Sequence, residues 1–311
     1  MDFKQLKAVI AVSETGSVTR AAQLLHLVQP AVTRQIKALE HELGVTLFER
    51  SPAGMHTTAA GEILVDRARR ALTELDRVRT EIVPTPHDVR GIVTVGILDS
   101  MSDIICNALT SVLAQDYPGI RLRIVSAYSG HLQQWLDDGD LDLTLLYNLK
   151  KTSDLNVTPL AREQLWLIAP SGGSALDPEN AVDLTMVDNQ PFVLPNPGHG
   201  LRILIDQAAV RAGITVTTAA ETNSMRVQKQ LVQGGHGWTI LPGISVANEI
   251  AAGTLQGSPI ADPLACRDVV KAVPRTAHPT PAVEVVDHAL TSLLKAATDS
   301  GAWPQATWHA P

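Results

Sequence analysis

Across residues 1–58 the apolar positions fall in short helical blocks. Leu6, Val9 and Ile10 share one face of a first helix, which Gly16 breaks. Ser17 is placed to cap a second helix carrying Ala21, Ala22, Leu24 and Leu25, because its hydroxyl can accept an orphan backbone N–H. A turn over His26 to Gln29 leads to Pro30, which suits the first position of a third helix. There Val32, Ile36, Leu39 and Leu43 face a core, while Thr33, Arg34, Lys37 and His41 lie opposite, and Gly44 ends the run. Short extended stretches at 47–49 and 56–57 flank the loop Arg50-Ser51-Pro52-Ala53-Gly54, the pattern of a hairpin. From Thr58 a long helix carries Leu64, Ala68, Ala71, Leu75, Val78 and Ile82 at alternating spacings of four and three. That is a heptad seam with charged flanks, and Pro84 and Pro86 end it at a hinge.

Beyond Gly91 strands alternate with helices. Strands are predicted at 92–97, 120–125, 141–146, 165–169, 192–194, 216–221, 238–241 and 267–273. Helices are predicted at 100–114, 131–137, 200–212, 225–233, 244–252 and 283–297. Such alternation implies α/β units on a largely parallel sheet. The tail GAWPQATWHAP is expected to fray.

Composition narrows the class. A chain of 311 residues suits roughly two domains. With 45% hydrophobic and 18% charged residues it can bury a sizeable core. Only 3 Phe, 5 Trp and 3 Tyr argue against a stacking platform for single strands. The net charge is −7, but residues 1–90 carry +1 and the remainder −8, a weak sign of an anionic partner for the head. Cys106 and Cys266 form no CxxC pair and no ligand cluster, which suits a reducing cytosol and leaves no metal site. Cys106 reads as core. No run suits a signal peptide or a membrane span, so the expectation is a cytoplasmic protein that requires no cofactor.

Residues 17–43 have the organisation of a helix-turn-helix. A major groove admits one helix, read by short polar side chains near its N-terminus with cations on its flank for phosphates. Gln29, Pro30, Thr33, Arg34 and Lys37 fit those roles, and Arg50 in the hairpin loop could reach a phosphate or the minor groove. The bland alternative is a three-helix packing unit with a solvated polar face. The heptad seam makes a dimer the expectation, since one recognition helix reads too few base pairs and two held about 34 Å apart read a palindrome. The competing reading is a helix packed on its own domain.

The segments GSVTRAAQLLHLVQPAVTRQIKALEHELGVTLFER and TTAAGEILVDRARRAL resemble the N-terminal domain of LysR-type transcriptional regulators. The resemblance implies that Gln29, Pro30, Thr33 and Arg34 contact DNA. It implies a winged helix-turn-helix at 1–58, a linker and dimerisation helix at 59–87, antiparallel pairing of linker helices and commonly a homotetramer. It further implies an effector-binding α/β domain at 88–311, similar to periplasmic solute-binding proteins, with lobe one at 91–162 and 267–311 and lobe two at 163–266. Val28 stands where the family usually has Ser or Thr, which removes a helix cap.

Five strand-to-helix corners carry polar residues where open α/β sheets bind ligands. They hold Ser100 and Ser102, Ser129 and His131, Tyr147, His199 and Arg202, and Asn223 and Ser224. A helix cap is the plainer role for Ser100, Ser102 and Ser224. SGHLQQWL, LDLTLLY and LPNPGHGLRILID look most like the branch of nitrogen assimilation control and catabolic regulators, which implies that Ser100, His131, Tyr147, His199, Arg202 and Ser224 face an inter-lobe cleft. Arg202 favours an anionic effector, Asp99 opposes one, and Trp238 would narrow the pocket. The partners implied are double-stranded DNA, a small-molecule effector, a second copy of the chain, and RNA polymerase if the protein is an activator. An enzyme is not expected: there is no G-x-S-x-G, H-E-x-x-H, Walker or G-x-G-x-x-G motif, and no catalytic residue is assigned. The rivals are a solute-binding protein with a vestigial helix-turn-helix and an enzyme built on the lobes.

Overall fold

The computed structural model describes residues 1–51, 54–82, 89–149, 154–172, 176–275 and 279–309, with the backbone alone at 73, 74 and 76–82. The chain forms two compact units, Met1–Thr85 and Pro86–Pro311.

The first unit contains α1 (Phe3–Thr15), α2 (Val18–Leu24), α3 (Gln29–Leu43), β1 (Phe48–Ser51), β2 (Gly54–Thr57) and α4 (Ala59–Ile82). Local chemistry sets its corners. Asp2 and Gln5 form a capping box on α1, and Gly16 ends that helix in the left-handed region. Ser17 caps α2. Val9, Val12, Ala21, Val32, Leu39 and Leu47 make the core. Two close approaches fasten the hairpin and α4 to it. Met55 N–H bonds to Gly16 O at 2.9 Å, and a Cβ on Gly54 would lie 2.7 Å from that same oxygen. A Cβ on Gly61 would lie 2.1 Å from Leu47 O, so only glycine lets α4 start there.

The second unit is built on an eight-stranded sheet ordered β10-β6-β11-β5-β3-β4, with β9 and β12 also paired to β6. The strands are β3 (Gly91–Leu98), β4 (Ile120–Ala127), β5 (Leu143–Tyr147), β6 (Leu155–Pro170), β9 (Thr239–Pro242), β10 (Leu255–Pro259), β11 (Cys266–Pro274) and β12 (Ala306–Trp308). A parallel pair, β7 (Pro191–Pro195) and β8 (Thr217–Thr222), lies apart from it. The helices are α5 (Ser102–Asp116), α6 (Ser129–Asp137), α7 (Gly200–Ala212), α8 (Met225–Gln233), α9 (Ala247–Ala251) and α10 (Pro281–Asp299). Two separate cores result. One gathers Val93, Ile97, Leu145, Leu160, Val270 and Leu290, the other Leu165, Ile168, Phe192, Ile205, Val232 and Leu241. β6 runs through both: Leu160 belongs to the first and Leu165 to the second.

The expectation of a largely parallel sheet needs correction. Among the described residues, only β3–β4 and β3–β5 pair parallel in the large sheet. β6 pairs antiparallel with β9, β10, β11 and β12, because the chain leaves one lobe along β6 and returns along β11. The tail is also ordered over its described residues. β12 adds to β6, His309 N–H bonds to Leu160 O at 2.7 Å, and Trp303 is buried. The short β10, LQGSP, escaped prediction because Gly and Pro obscure a strand that pairing with β6 imposes. Pro52, Ala53, Pro84 and Pro86 lie outside the described residues.

Candidate functional site

Two arrangements could do chemistry on a partner, one in each unit. In the first, α3 presents a polar face. Its buried side is Val32, Ile36 and Leu39, which turns Gln29, Arg34 and Lys37 to solvent. Gln29 Nε2 donates to Thr33 Oγ1 at 3.0 Å, and Thr33 Oγ1 donates to Gln29 O at 3.1 Å, ordering the first turn. Pro30 sits in that turn, and Val28, the N-cap residue, offers no side-chain cap and is exposed. Glu40 Oε1 accepts from Leu47 N at 2.8 Å and so locks α3 to the hairpin that carries exposed Arg50. Arg34, Lys37 and Arg50 have no carboxylate partner among the described residues.

In the second unit a cavity of about 620 Å³ opens between the two cores. Ser100, Ser129, His131, Tyr147 and His199 line it, together with Tyr128, Gln134, Asn148, Gln228 and Arg267. Leu98, Leu201, Leu204, Met225 and Leu241 supply the apolar wall. That volume suits a small-molecule ligand. Tyr128 spans it: the ring packs edge-on against His199 at 4.4 Å, and its hydroxyl donates to Asn223 O on the other lobe. Burial, and then Asp99, push the Tyr128 phenol up, so it stays a neutral donor. His199 caps α7 by accepting from Leu201 N at 3.2 Å. Burial first, and then the Arg267 charge, hold its imidazole below the usual value. Burial also raises the Tyr147 phenol. Ser129 Oγ accepts from Tyr147 N at 3.0 Å, and His131 stacks on Trp135 at 5.9 Å.

Two family models match this chain. Residues 3–62 match the bacterial regulatory helix-turn-helix protein, lysR family, and residues 86–294 match the LysR substrate binding domain. The chain belongs to the LysR family of bacterial regulators. It is a DNA-binding transcriptional regulator with an effector domain, not an enzyme. The HTH-type transcriptional regulator BbuR of Bordetella bronchiseptica is 29% identical over 306 residues, covering 98% of this chain and 93% of that protein. The nitrogen assimilation regulatory protein nac of Klebsiella aerogenes is 27% identical over 78% of each chain. The solved full-length CbnR in complex with its target DNA has a TM-score of 0.70 at 23% identity, covering 94% of this chain and 100% of that one, a likeness of fold.

Within this LysR chain several predicted residues sit elsewhere. Arg202 does not line the cavity: its guanidinium is held by Asp206 at 2.9 Å, Glu221 at 2.7 Å and Pro195 O at 3.1 Å. It therefore supplies no free charge there. Ser102 bonds Ser126 Oγ at 3.0 Å beside a smaller neighbouring cavity of about 390 Å³. Asn223 contributes its backbone carbonyl to Tyr128, and Ser224 caps α8, neither side chain lining the cleft. Ser100 is not a cap; it lies in a short 3₁₀ turn, Asp99–Met101, and bonds Tyr147. Trp238 packs against the second core and is not among the residues that line the pocket. Cys106 is only partly buried, and burial raises its thiol. Of the heptad seam, Leu64 packs on the head's own core and Ala68 is buried within the unit. Ala71 and Leu75 are exposed, and the side chains of Val78 and Ile82 lie outside the described residues. No helix among the described residues is long and apolar enough to cross a membrane, and no cluster of metal-binding side chains occurs among them.

Sequence reasoning missed Arg267, Glu163 and Gln228. The one signal in the chain is a lone carboxylate within β6, while Arg267 shares β11 with Asp268 and Lys271 and does not stand out. Neither names its partner without the fold.

Proposed function

We propose that the chain is a cytosolic, sequence-specific regulator whose affinity or geometry on DNA is set by a small effector held between the lobes. Gln29, Pro30, Thr33 and Arg34 read base edges and neighbouring phosphates, while Lys37 and Arg50 neutralise phosphates. One observation carries this reading. A helix face of exposed polar and cationic groups, without carboxylate partners among the described residues, occurs in the same chain as a cavity that opens between two cores.

The domain bounds we propose are 1–58 for the head, 59–87 for the linker helix and hinge, and 88–311 for the effector domain, divided into lobes at 162/163 and 266/267. Self-association runs along α4 from Ala71 onward, giving a dimer that pairs into a tetramer. An effector that favours one closure of the lobes shifts the spacing of the heads, and about 1–3 kcal/mol of coupling suffices for a useful switch. Contact with RNA polymerase follows if the protein activates.

The test is a footprint and gel-shift titration at fixed salt on DNA flanking the protein's own gene. Arg34→Ala is expected to weaken binding by about 1–3 kcal/mol while leaving the fold intact; unchanged affinity removes α3 as the reading helix. Ala71→Glu with Leu75→Glu is expected to yield monomers by sedimentation. A surviving dimer assigns self-association to another surface.

A further inference from the structure

Arg267 opens β11 where the chain returns between lobes. Its side chain is 5% exposed, and that of Glu163, its partner, is 1% exposed. Burying such a pair costs desolvation that Coulomb attraction alone often fails to repay, so the hydrogen bonds around it matter. A guanidinium has five N–H groups in a rigid fork. Here Nε donates to Glu163 Oε1 at 2.6 Å. Nη2 donates to the Tyr147 hydroxyl and, at 3.5 Å, to Ser100 Oγ. The group lies over the Tyr147 ring, 3.4 Å from its centroid. Glu163 Oε2 is taken by the indole N–H of buried Trp303 at 2.8 Å. Nη1 has no partner among the described residues, and Arg267 lines the cavity. The guanidinium is thus clamped from behind, with one edge unspent.

Two unspent donors in a partly enclosed site favour an acceptor, and an ionised one most. Among the described residues no lysine and no second arginine lines the cavity, and the carboxylate there is Asp99, which is exposed. Among those residues Arg267 is the one cation that a ligand meets, which matches a single negative charge, and a cation meets only Asp99. The apolar wall requires a hydrophobic body. The first turn of α6 adds to the anion preference, because its N-cap has no side-chain bond.

We propose that the cleft takes a small amphiphilic monocarboxylic acid whose carboxylate sits on Nη1 of Arg267, with Glu163 and Trp303 as positioning residues. This rests on the inter-lobe cleft being the effector site.

The experiment uses the full-length protein, with calorimetric titration and thermal shift against isosteric pairs: benzoate with benzamide, and hexanoate with hexanamide. In at least one pair the acid is expected to bind about tenfold or more tighter than the amide. Arg267→Met abolishes that discrimination. Where Arg267→Met fails to fold, Arg267→Lys, which keeps the charge but loses the planar fork, is expected to do the same. Trp303→Phe lowers the acid-to-amide ratio without changing the affinity of the amide, which a purely structural role would not do. Acid and amide binding equally, or discrimination surviving Arg267→Met and Arg267→Lys, overturns the anchor while leaving the cleft as effector site. No binding by either acid also overturns the proposal. If a neutral or multiply charged ligand then raises the melting point and Tyr128→Ala abolishes the effect, the cleft reading stands; if the cleft variants never alter ligand binding, that reading fails separately.

Discussion

The two units of this regulator hold the cations that we propose for recognition in opposite ways. In the head, Arg34, Lys37 and Arg50 are exposed and have no carboxylate partner among the described residues. Water holds such cations at almost no cost, and they remain available to phosphates. In the effector unit the corresponding charge is Arg267, buried and held by Glu163 and Tyr147, which lie 104 and 120 residues away. A surface recogniser can therefore lose a functional group and keep its fold. An enclosed recogniser cannot, because the groups that would meet a ligand also satisfy one another.

The largest test of that contrast is Glu163→Ala. It strands the Arg267 charge in a buried site and is expected to cost about 3–5 kcal/mol. All five tryptophans, at 135, 166, 238, 303 and 308, lie in the second unit. Tryptophan fluorescence in denaturant thus reports that unit within the intact chain. Glu163→Met combined with Arg267→Met should recover most of the loss, since apolar residues of similar volume replace a buried pair without the desolvation cost. Arg34→Ala should move stability by no more than about 0.5 kcal/mol. A cost below about 1 kcal/mol for Glu163→Ala would erase the distinction.

A smaller change sharpens the head's side of the comparison. The backbone at Val28 already has the extended geometry of an N-cap, but the side chain cannot accept a hydrogen bond. Val28→Thr supplies the oxygen and should stabilise the head by about 0.5–2 kcal/mol. Hydrogen exchange of the first-turn amides of α3 is the measurement, because the head has neither tryptophan nor tyrosine. Unchanged protection there would mean that tertiary packing, not the cap, limits opening of the helix.

The same contrast explains what could be read from the chain alone. Head features are written at short range: Ser17 before its helix, the apolar repeat from Val32 to Leu39, Gly16 and Gly44 at helix ends. The strand-to-helix corners were legible for the same reason, and Ser100, Ser129, His131, Tyr147 and His199 do line the cavity. Arg202 was misplaced because its spacing to Asp206 also makes an i,i+4 ion pair, and Glu221 on β8 completes the capture. Arg267 was invisible because its meaning depends on Glu163 and Trp303, which only the antiparallel return of β11 and the docking of the tail bring together. Long-range satisfaction of a buried charge leaves no periodicity in a sequence.

The smallest effect asks how far the buried charge is felt. His199 has a folded pKa lowered from 6.5, by burial first and then by Arg267. The unfolded chain therefore binds this proton more readily. Its contribution to stability is fully present above about 6.5 and is lost as pH falls through the folded value. Protonation also removes the Nδ1 acceptor for Leu201 N at the start of α7. His199→Asn keeps a capping acceptor and cannot titrate. The fluorescence midpoint should then fall less steeply with acidification in His199→Asn than in the parent chain. Arg267→Met in the parent background should flatten the same slope partway, because it removes the second cause and leaves the first. If both variants titrate like the parent, the field of Arg267 ends at its own clamp, and the cleft is as indifferent to its charge as the head is to the loss of Arg34.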